Sequence, residues 1–123
     1  LESLLSEDRE FIICADWNTC HQNIDLKNWR NNQKNSGFMP YEREWLTHLY
    51  EKQGWVDAFR EFTSEPELYT WWSNRGQAWA NNTGWRLDYM LVSPGLSGRA
   101  REVAVYKEAR FSDHAPVIID FEM

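Results

Sequence analysis

The sequence is short of cysteine and of long apolar runs, and each shortage excludes a class of protein. Two cysteines, Cys14 and Cys20, are too few for a disulfide scaffold. No apolar run approaches the roughly 18 residues of a membrane-spanning helix, and no basic segment followed by an apolar one indicates a secretory signal. We therefore expect a cytoplasmic chain with free thiols and no membrane partner.

Positive charge is also scarce, with 13 Lys and Arg against 19 Asp and Glu and a net charge of −6. This balance excludes a simple basic DNA-coating protein, since non-specific affinity for phosphates comes mainly from Lys and Arg. A nuclease still fits, because a bound divalent metal supplies positive charge locally. The apolar fraction of 42% indicates a folded chain, and 123 residues suit one domain.

Tryptophan is abundant, with eight residues in the chain. The chain also begins at Leu1 rather than Met, in a segment up to residue 10 that resembles the end of a helix. Both features favour a piece of a longer protein.

Short apolar runs alternate with polar loops along the chain. Residues 11–15 form a continuous apolar run that predicts a strand buried on both faces, and residues 117–121 predict a similar closing strand. Residues 41–53 carry apolar side chains at helical spacing and predict the clearest helix. Shorter strands are predicted at 69–73, 85–92 and 102–107, a turn or half-helix at 55–59, and long loops at 18–40 and 74–84. The mixture predicts an α/β (α+β) fold.

A polar residue lies in or beside three of these strands. Asp16 and Asn18 follow the first, Asp88 lies inside the 85–92 segment, and Asp113 and His114 precede the last. A carboxylate within an apolar strand is costly unless it is paired or binds a metal. The three sites therefore predict convergence at one edge of a sheet.

Each site also has a simpler interpretation. Asp16 alone fits the cap of a turn, Asp88 fits a structural partner of Arg86 or of a backbone group, and Asp113–His114 fits an Asx turn with a surface histidine. The sequence has no Cys/His cluster of the kind that binds zinc. It has neither a glycine-rich phosphate loop nor a Gly-x-Ser-x-Gly nucleophile motif.

Longer motifs surround these residues and resemble a known family. ADWN at 15–18, GWRLDY at 84–89 and SDHAP at 112–116, with shorter matches at 25–26 and 35–38, resemble the exonuclease III / apurinic-apyrimidinic endonuclease family of the endonuclease/exonuclease/phosphatase superfamily. The resemblance runs from about residue 11 to 123 and covers the family's C-terminal half. Ala15 stands where the family usually has Gly, and no Glu here matches the family's metal-binding Glu.

The resemblance implies a fold and an activity. Residues 1–123 would form the C-terminal half of a four-layer αββα sandwich, with one largely antiparallel or mixed sheet and flanking helices. The parent enzyme would hydrolyse the phosphodiester 5′ to abasic sites in duplex DNA and act as a 3′-to-5′ exonuclease. Without the N-terminal half, the chain is expected to have little activity and to self-associate, or pair with that half, through an uncovered apolar sheet face.

The resemblance also implies roles for the polar residues. Asp16 is similar to the carboxylate that activates the attacking water, and Asn18 to the residue that orients Asp16 and the phosphate. His114 is similar to the histidine that hydrogen-bonds the scissile phosphate, and Asp88 to its partner. The implied metal is Mg²⁺ (or Mn²⁺), held by Asp113 with Asp16 and Asn18.

Substrate-binding residues follow from the same resemblance. The pocket for a flipped-out abasic sugar would consist of Trp71, Trp85 and Leu87. A loop that contacts DNA phosphates would consist of Asn28, Asn32, Lys34 and Asn35. Arg75 lies on a segment without acidic residues, from 70 to 84, which predicts a locally basic and aromatic surface. The alternatives are core packing for the tryptophans and a solvated turn for the Asn-rich loop.

Two other functions fit part of the pattern. A different superfamily branch, such as a phosphoinositide phosphatase, a sphingomyelinase or a non-specific nuclease, would share the catalytic motifs but not Trp71, Trp85 and the Asn-rich loop. A non-catalytic fragment that self-associates is the second alternative.

Overall fold

The computed structural model describes residues 1–123, apart from the side chain of residue 2. Its strands are β1 (Ile12–Asp16), β2 (Val56–Asp57), β3 (Trp71–Trp72), β4 (Gly84–Trp85), β5 (Asp88–Val92), β6 (Ala100–Val105) and β7 (Val117–Phe121). Its α-helices are α1 (Trp29–Asn32), α2 (Pro40–His48) and α3 (Ala58–Phe62). No helix in the described part of the chain has the length and apolar character needed to cross a membrane.

All strand pairs in the described chain are antiparallel, which agrees with the predicted α/β (α+β) fold with a largely antiparallel or mixed sheet. The order β1–β5–β2 forms one ladder, β3 pairs with β4, and β6 pairs with β7. The predicted single strand at 85–92 is interrupted at Arg86 and Leu87, so its first residues pair with β3 and its last five with β1 and β2. This interruption brings the β3–β4 hairpin next to the main ladder.

The helical segments differ in detail from the prediction. The 41–53 helix is confirmed, although its last turn, Leu49–Gln53, is π-helical and ends at Gly54 with φ of +91°. The 18–40 segment, predicted as a loop, contains α1 and a 3-10 turn at Asn23–Asp25. The first ten residues, predicted to be the end of a helix, contain a 3-10 turn at Glu2–Ser6 and no α-helix.

Strand β1 contacts the core on one face only. Leu46 of helix α2 and Leu49 of the turn that follows it cover this face and pack against Leu91. On the other face of β1, Ile12 is 41% exposed and Cys14 is also exposed. The prediction that residues 11–15 are buried on both faces is therefore wrong, because only one face has a covering layer in the described chain.

Candidate active site

Candidate residues from three segments meet at one edge of the β1–β5 ladder. Asp16, the last residue of β1, lies directly opposite Asp88, the first residue of β5. A bridge between Trp71 and His114 brings the histidine to this edge. Nδ1 of His114 is 2.9 Å from Oδ2 of Asp88, and Nε2 is 3.6 Å from Oδ2 of Asp16. The structure thus brings together one side chain from each of the three sites that were predicted to converge.

The hydrogen bond to Asp88 determines what the imidazole of His114 can do. Partial burial disfavours the charged ring, but the Asp88 hydrogen bond and the charges of Asp88, Asp16 and Asp113 outweigh burial and raise the pKa of His114. A protonated ring donates from Nδ1 to Asp88. Its Nε2 is too far from Asp16 for a hydrogen bond, so it can donate to an anionic oxygen that enters this gap.

Asn18 lies beside Asp16 in a tight turn. Its backbone N–H donates to Oδ1 of Asp16 at 2.8 Å, which makes Asp16 the first residue of an Asx-type turn. Asn18 has φ of +52°, a left-handed conformation that Asn adopts more readily than most residues. The simpler interpretation of Asp16 as a turn residue is therefore correct, and its second oxygen still faces His114.

Asp113 is anchored by strand β3. The indole N–H of Trp71 donates to Oδ2 of Asp113 at 3.1 Å, and the backbone N–H of Trp72 donates to its carbonyl. The carboxylate–imidazole group that lies within 4.8 Å contains Asp16 with Asp88 and His114, and Asp113 is outside it. The assignment of Asp113, Asp16 and Asn18 as metal ligands stays a prediction.

A cavity of about 600 Å³ opens beside His114. Its lining combines polar and apolar side chains, namely Asn18, Asp113, His114, Trp71, Trp85 and Leu87. The rings of Trp71 and Trp85 meet edge to face, with centroids 6.3 Å apart and planes at 83°. An apolar wall opposite a few converging polar groups is the usual form of a small-ligand site.

The turn at Ser36 and Gly37, which the sequence did not single out as a site, closes one side of this cavity. Gly37 has φ of +98°, and a Cβ at this position would lie 2.9 Å from Cζ3 of Trp85. Only glycine therefore allows the turn to approach the indole this closely. The carboxylate of Glu42 accepts hydrogen bonds from the backbone of Gly37 and Met39, which ties the turn to the start of α2.

Residues 84–88 form a ribbon that connects the cavity with the catalytic candidates. Trp85 and Leu87 line the cavity, and Asp88 contacts the histidine. Between them, Arg86 is buried in the core, with 1% of its side chain exposed. A single short segment thus positions the apolar wall and one member of the carboxylate–histidine pair.

The buried Arg86 binds two carboxylates. Its Nε is 2.8 Å from Oδ1 of Asp25, and one terminal nitrogen is 2.6 Å from Oδ2 of Asp57. Arg60 adds a third arginine–carboxylate contact at 2.8 Å from Asp25. Burial alone would raise the pKa of Asp25, but the arginines and backbone hydrogen bonds lower it to about 2. Arg86 is therefore not the partner of Asp88, and that simpler interpretation is wrong.

Thr70 is a second residue that the sequence did not indicate. Its buried hydroxyl accepts hydrogen bonds from the backbone N–H groups of Leu87, at 3.0 Å, and Asp88, at 3.2 Å. These bonds fix the start of β5 and hence the position of Asp88. Threonine is common in strands for packing reasons, so its presence carries little functional signal.

The Asn-rich loop is hydrogen-bonded internally. The side chain of Asn32 donates to the carbonyl of Asn28 at 2.7 Å, and that of Asn35 donates to Oδ1 of Asn32 at 3.0 Å. Lys34 and Arg75 are exposed. None of these five residues lines the cavity beside His114, and DNA contact by them stays a prediction.

Comparison with known proteins gives consistent matches. The model of the endonuclease/exonuclease/phosphatase family matches residues 1–114. An exodeoxyribonuclease from Bacillus subtilis is 41% identical over 114 residues, which cover 92% of this chain and 45% of that protein. The DNA repair nuclease APEX1 from Danio rerio is 40% identical over 116 residues, or 94% of this chain and 37% of that protein.

A solved structure shows the same fold. The AP endonuclease from Leishmania major superposes with a TM-score of 0.81 at 31% identity, covering 89% of this chain and 34% of that one. The chain therefore spans less than half the length of the relatives that it matches.

Proposed function

The chain belongs to the endonuclease/exonuclease/phosphatase family, and we propose that it is part of a DNA repair nuclease. The proposed reactions are hydrolysis of the phosphodiester 5′ to an abasic site and 3′-to-5′ exonuclease cleavage. The observation that carries the proposal is the Asp88–His114 pair beside a cavity walled by Trp71 and Trp85. Relatives named exodeoxyribonuclease and DNA repair nuclease support the same class of reaction.

In the proposed chemistry each polar residue has one task. Asp16 accepts the proton of the attacking water, and Asn18 orients Asp16 and the phosphate. His114 donates from Nε2 to a phosphate oxygen, while Asp88 holds the ring in the required orientation. The 3.6 Å separation between His114 and Asp16 supports this assignment, because it leaves both groups available to a bound oxygen. Phosphoryl transfer depends mainly on such positioning and charge stabilisation.

We propose Mg²⁺ (or Mn²⁺) as the metal, with Asp113, Asp16 and Asn18 as its protein ligands. Carboxylate and amide oxygens fit this ion, which usually binds through one or two carboxylates while water and substrate phosphate complete the shell. When bound, the ion would neutralise charge on the leaving oxygen. The indole of Trp71 occupies only Oδ2 of Asp113, which keeps this carboxylate fixed for such a role.

The apolar wall is proposed to accept a base-less sugar. An abasic nucleotide has lost its stacking, so its extrusion from the duplex costs less than extrusion of a normal nucleotide. Trp71, Trp85 and Leu87 would surround the sugar, and duplex DNA with abasic sites is the proposed partner. The phosphates on either side would contact the exposed loops that carry Asn28, Asn32, Lys34, Asn35 and Arg75.

Exposed apolar side chains on β1 and β7 are proposed to pack against the rest of the domain in a longer protein. Ile12 on β1 and Ile118 on β7 are 41% and 47% exposed, and the relatives are more than twice as long as the matched region. Residues 1–123 would then be the C-terminal half of the domain. On this basis the isolated chain has little or no nuclease activity.

A chimera tests the proposed function. The 114 matched residues of the Bacillus subtilis exodeoxyribonuclease are replaced by those of this chain, and Mg²⁺-dependent incision is measured on an abasic duplex and on an intact duplex. We expect preferential incision of the abasic duplex. His114→Asn should lower the rate by about 10²–10³-fold, the usual cost of losing one hydrogen-bond donor to the charge of a transition state. The exposed His48 serves as control, and His48→Asn should leave the rate unchanged.

Three outcomes would contradict parts of the proposal. Equal rates on the two duplexes would favour another branch of the superfamily. A chimera with His114→Asn that keeps the full rate would remove the assigned role of His114. Efficient incision by the 123-residue chain alone would show that no further half of the domain is required.

A further inference from the structure

Two neighbouring loops carry three exposed cations that form no ion pair with the described carboxylates. Arg75 lies on the loop 73–83, and Lys107 and Arg110 lie on the loop 106–116. None of the three forms a close ion pair, although Glu108 lies on the same loop and the chain as a whole carries −6. By contrast, the buried Arg86 is paired with two carboxylates.

Aromatic rings hold the two cations of the 106–116 loop in place. The ammonium nitrogen of Lys107 lies 4.8 Å from the ring centroid of Trp72 and 5.0 Å from that of Trp79. The guanidinium of Arg110 lies 4.7 Å from the centroid of Trp79. Cation–π contacts of this kind orient a charge without neutralising it.

Hydrogen bonds from the two cations to neutral amide oxygens join the two loops. Arg110 donates to Oδ1 of Asn74 at 3.1 Å, and Lys107 donates to Oδ1 of Asn82 at 3.3 Å. The stacked rings of Tyr106 and Phe111, with centroids 6.0 Å apart, connect the two ends of the 106–111 segment. The cations are therefore presented by an organised surface whose own partners are all uncharged.

This surface lies close to the candidate catalytic residues. Arg110 is three residues before Asp113, and three extended residues span at most about 10 Å. Strand β3, which anchors Asp113, leads directly into the other loop. Successive base pairs of duplex DNA are about 3.4 Å apart along the axis. A strand whose phosphate lies at His114 would therefore pass the surface within about three nucleotides.

We propose that Lys107 and Arg110, together with Arg75, form a second phosphate-binding surface for duplex DNA beside the catalytic cavity. This inference rests on the proposed function and extends it to residues outside the cavity. The cations lie along two adjoining loops rather than around one enclosed pocket, which fits a chain of phosphates better than one small anion. They would contact the backbone without reading base sequence.

The dependence of DNA binding on salt tests the surface. The 123-residue chain and its Lys107→Ala/Arg110→Ala variant are titrated against a labelled intact duplex, with fluorescence anisotropy as the readout. Each lost phosphate contact should reduce the slope of log K against log salt concentration by about 0.9. Two lost contacts predict a slope smaller by about 1.8, so the loss of affinity between about 50 and 200 mM salt should be about 12-fold smaller.

Two further variants control for folding and for total charge. Lys107→Arg/Arg110→Lys keeps both charges and should keep the slope. Lys52→Ala removes an exposed cation from the π-helical turn after α2 and should also keep it. Circular dichroism and tryptophan fluorescence confirm that each variant is folded.

The outcomes separate this surface from the proposed function. An unchanged slope in the double alanine variant, or an equal reduction in Lys52→Ala, overturns the surface alone. Absence of salt-dependent binding by the unaltered chain overturns it as well. A chimera that does not incise abasic DNA contradicts the proposed function, whereas a reduced slope in the double variant would still support the surface.

Discussion

Removal of the Arg86 side chain should destabilise the chain strongly. In Arg86→Met, Asp57 loses its charged partner while remaining only 8% exposed, and Asp25 keeps only Arg60. Loss of one partner from a buried ion pair typically costs about 3–5 kcal/mol. Since small domains have about 5–15 kcal/mol of total stability, the variant should unfold at much lower urea concentration than the unaltered chain.

The unfolding free energy of Arg86→Met should depend on pH differently from that of the unaltered chain. At neutral pH it retains buried carboxylates without their arginine, but protonation of these carboxylates in mild acid removes the unpaired charge. The difference in unfolding free energy between the variant and the unaltered chain should therefore shrink as the pH is lowered toward 4. Urea titrations followed by tryptophan fluorescence give this difference in unfolding free energy at pH 7 and at lower pH.

An exposed ion pair provides the control for Arg86→Met. Lys27 and Glu67 are 3.1 Å apart with side chains 39% and 59% exposed, and Lys27→Met should cost only about 0–1 kcal/mol. A loss below about 1 kcal/mol in Arg86→Met would show that the buried network contributes no more than a surface pair. A loss that is independent of pH would refute the attribution to buried carboxylates.

Three other perturbations have definite expected results. The unaltered chain should lose about 2 kcal/mol of stability as the pH falls from about 4 to 2. The folded pKa of Asp25 is depressed to about 2, so its contribution is fully present above the pKa of the unfolded chain and is lost as the pH falls through the folded pKa. Urea titrations that show no loss of stability in this window would contradict the Arg86 pairing. Gly84→Ala should cost about 1–3 kcal/mol, since its Cβ would lie 2.6 Å from Cβ of Tyr69; an unchanged urea midpoint is the contrary result. The isolated chain should self-associate, and Ile118→Lys at the exposed apolar side chain on β7 should shift the masses measured by light scattering toward the monomer. Unchanged masses would exclude this part of β7 from the contact between copies.

The convergence of Asp16, Asp88 and His114 was predictable because each lies in or beside an apolar strand segment. Antiparallel pairing of β1 with β5 places the two aspartates opposite each other. The positions of these residues in the sequence pattern therefore agree with the strand pairing in the structure. The interruption at Arg86 was not predictable from hydrophobic pattern alone. It depends on Asp25 and Asp57, which are distant in sequence and reach the arginine only in the folded chain.

Other features depend on contacts that no local pattern contains. The apolar run at 11–15 predicts burial on both faces, but burial also requires a second layer, and the described chain supplies one layer only. Lys107 and Arg110 were not recognised as partners of the Arg75 loop, because about thirty residues separate the two segments in sequence. Their common surface depends on contacts with Trp79 and on hydrogen bonds to Asn74 and Asn82, which form only in the folded chain.

The ribbon at 84–88 also restricts how such a protein can evolve. Side chains for the ligand wall and for the histidine partner alternate along five consecutive residues with a buried arginine between them. A substitution that reshapes the wall by shifting this backbone would move Asp88 as well. New substrate preferences should therefore arise more readily through the separate loops around Gly37 and Arg110 than through the ribbon itself.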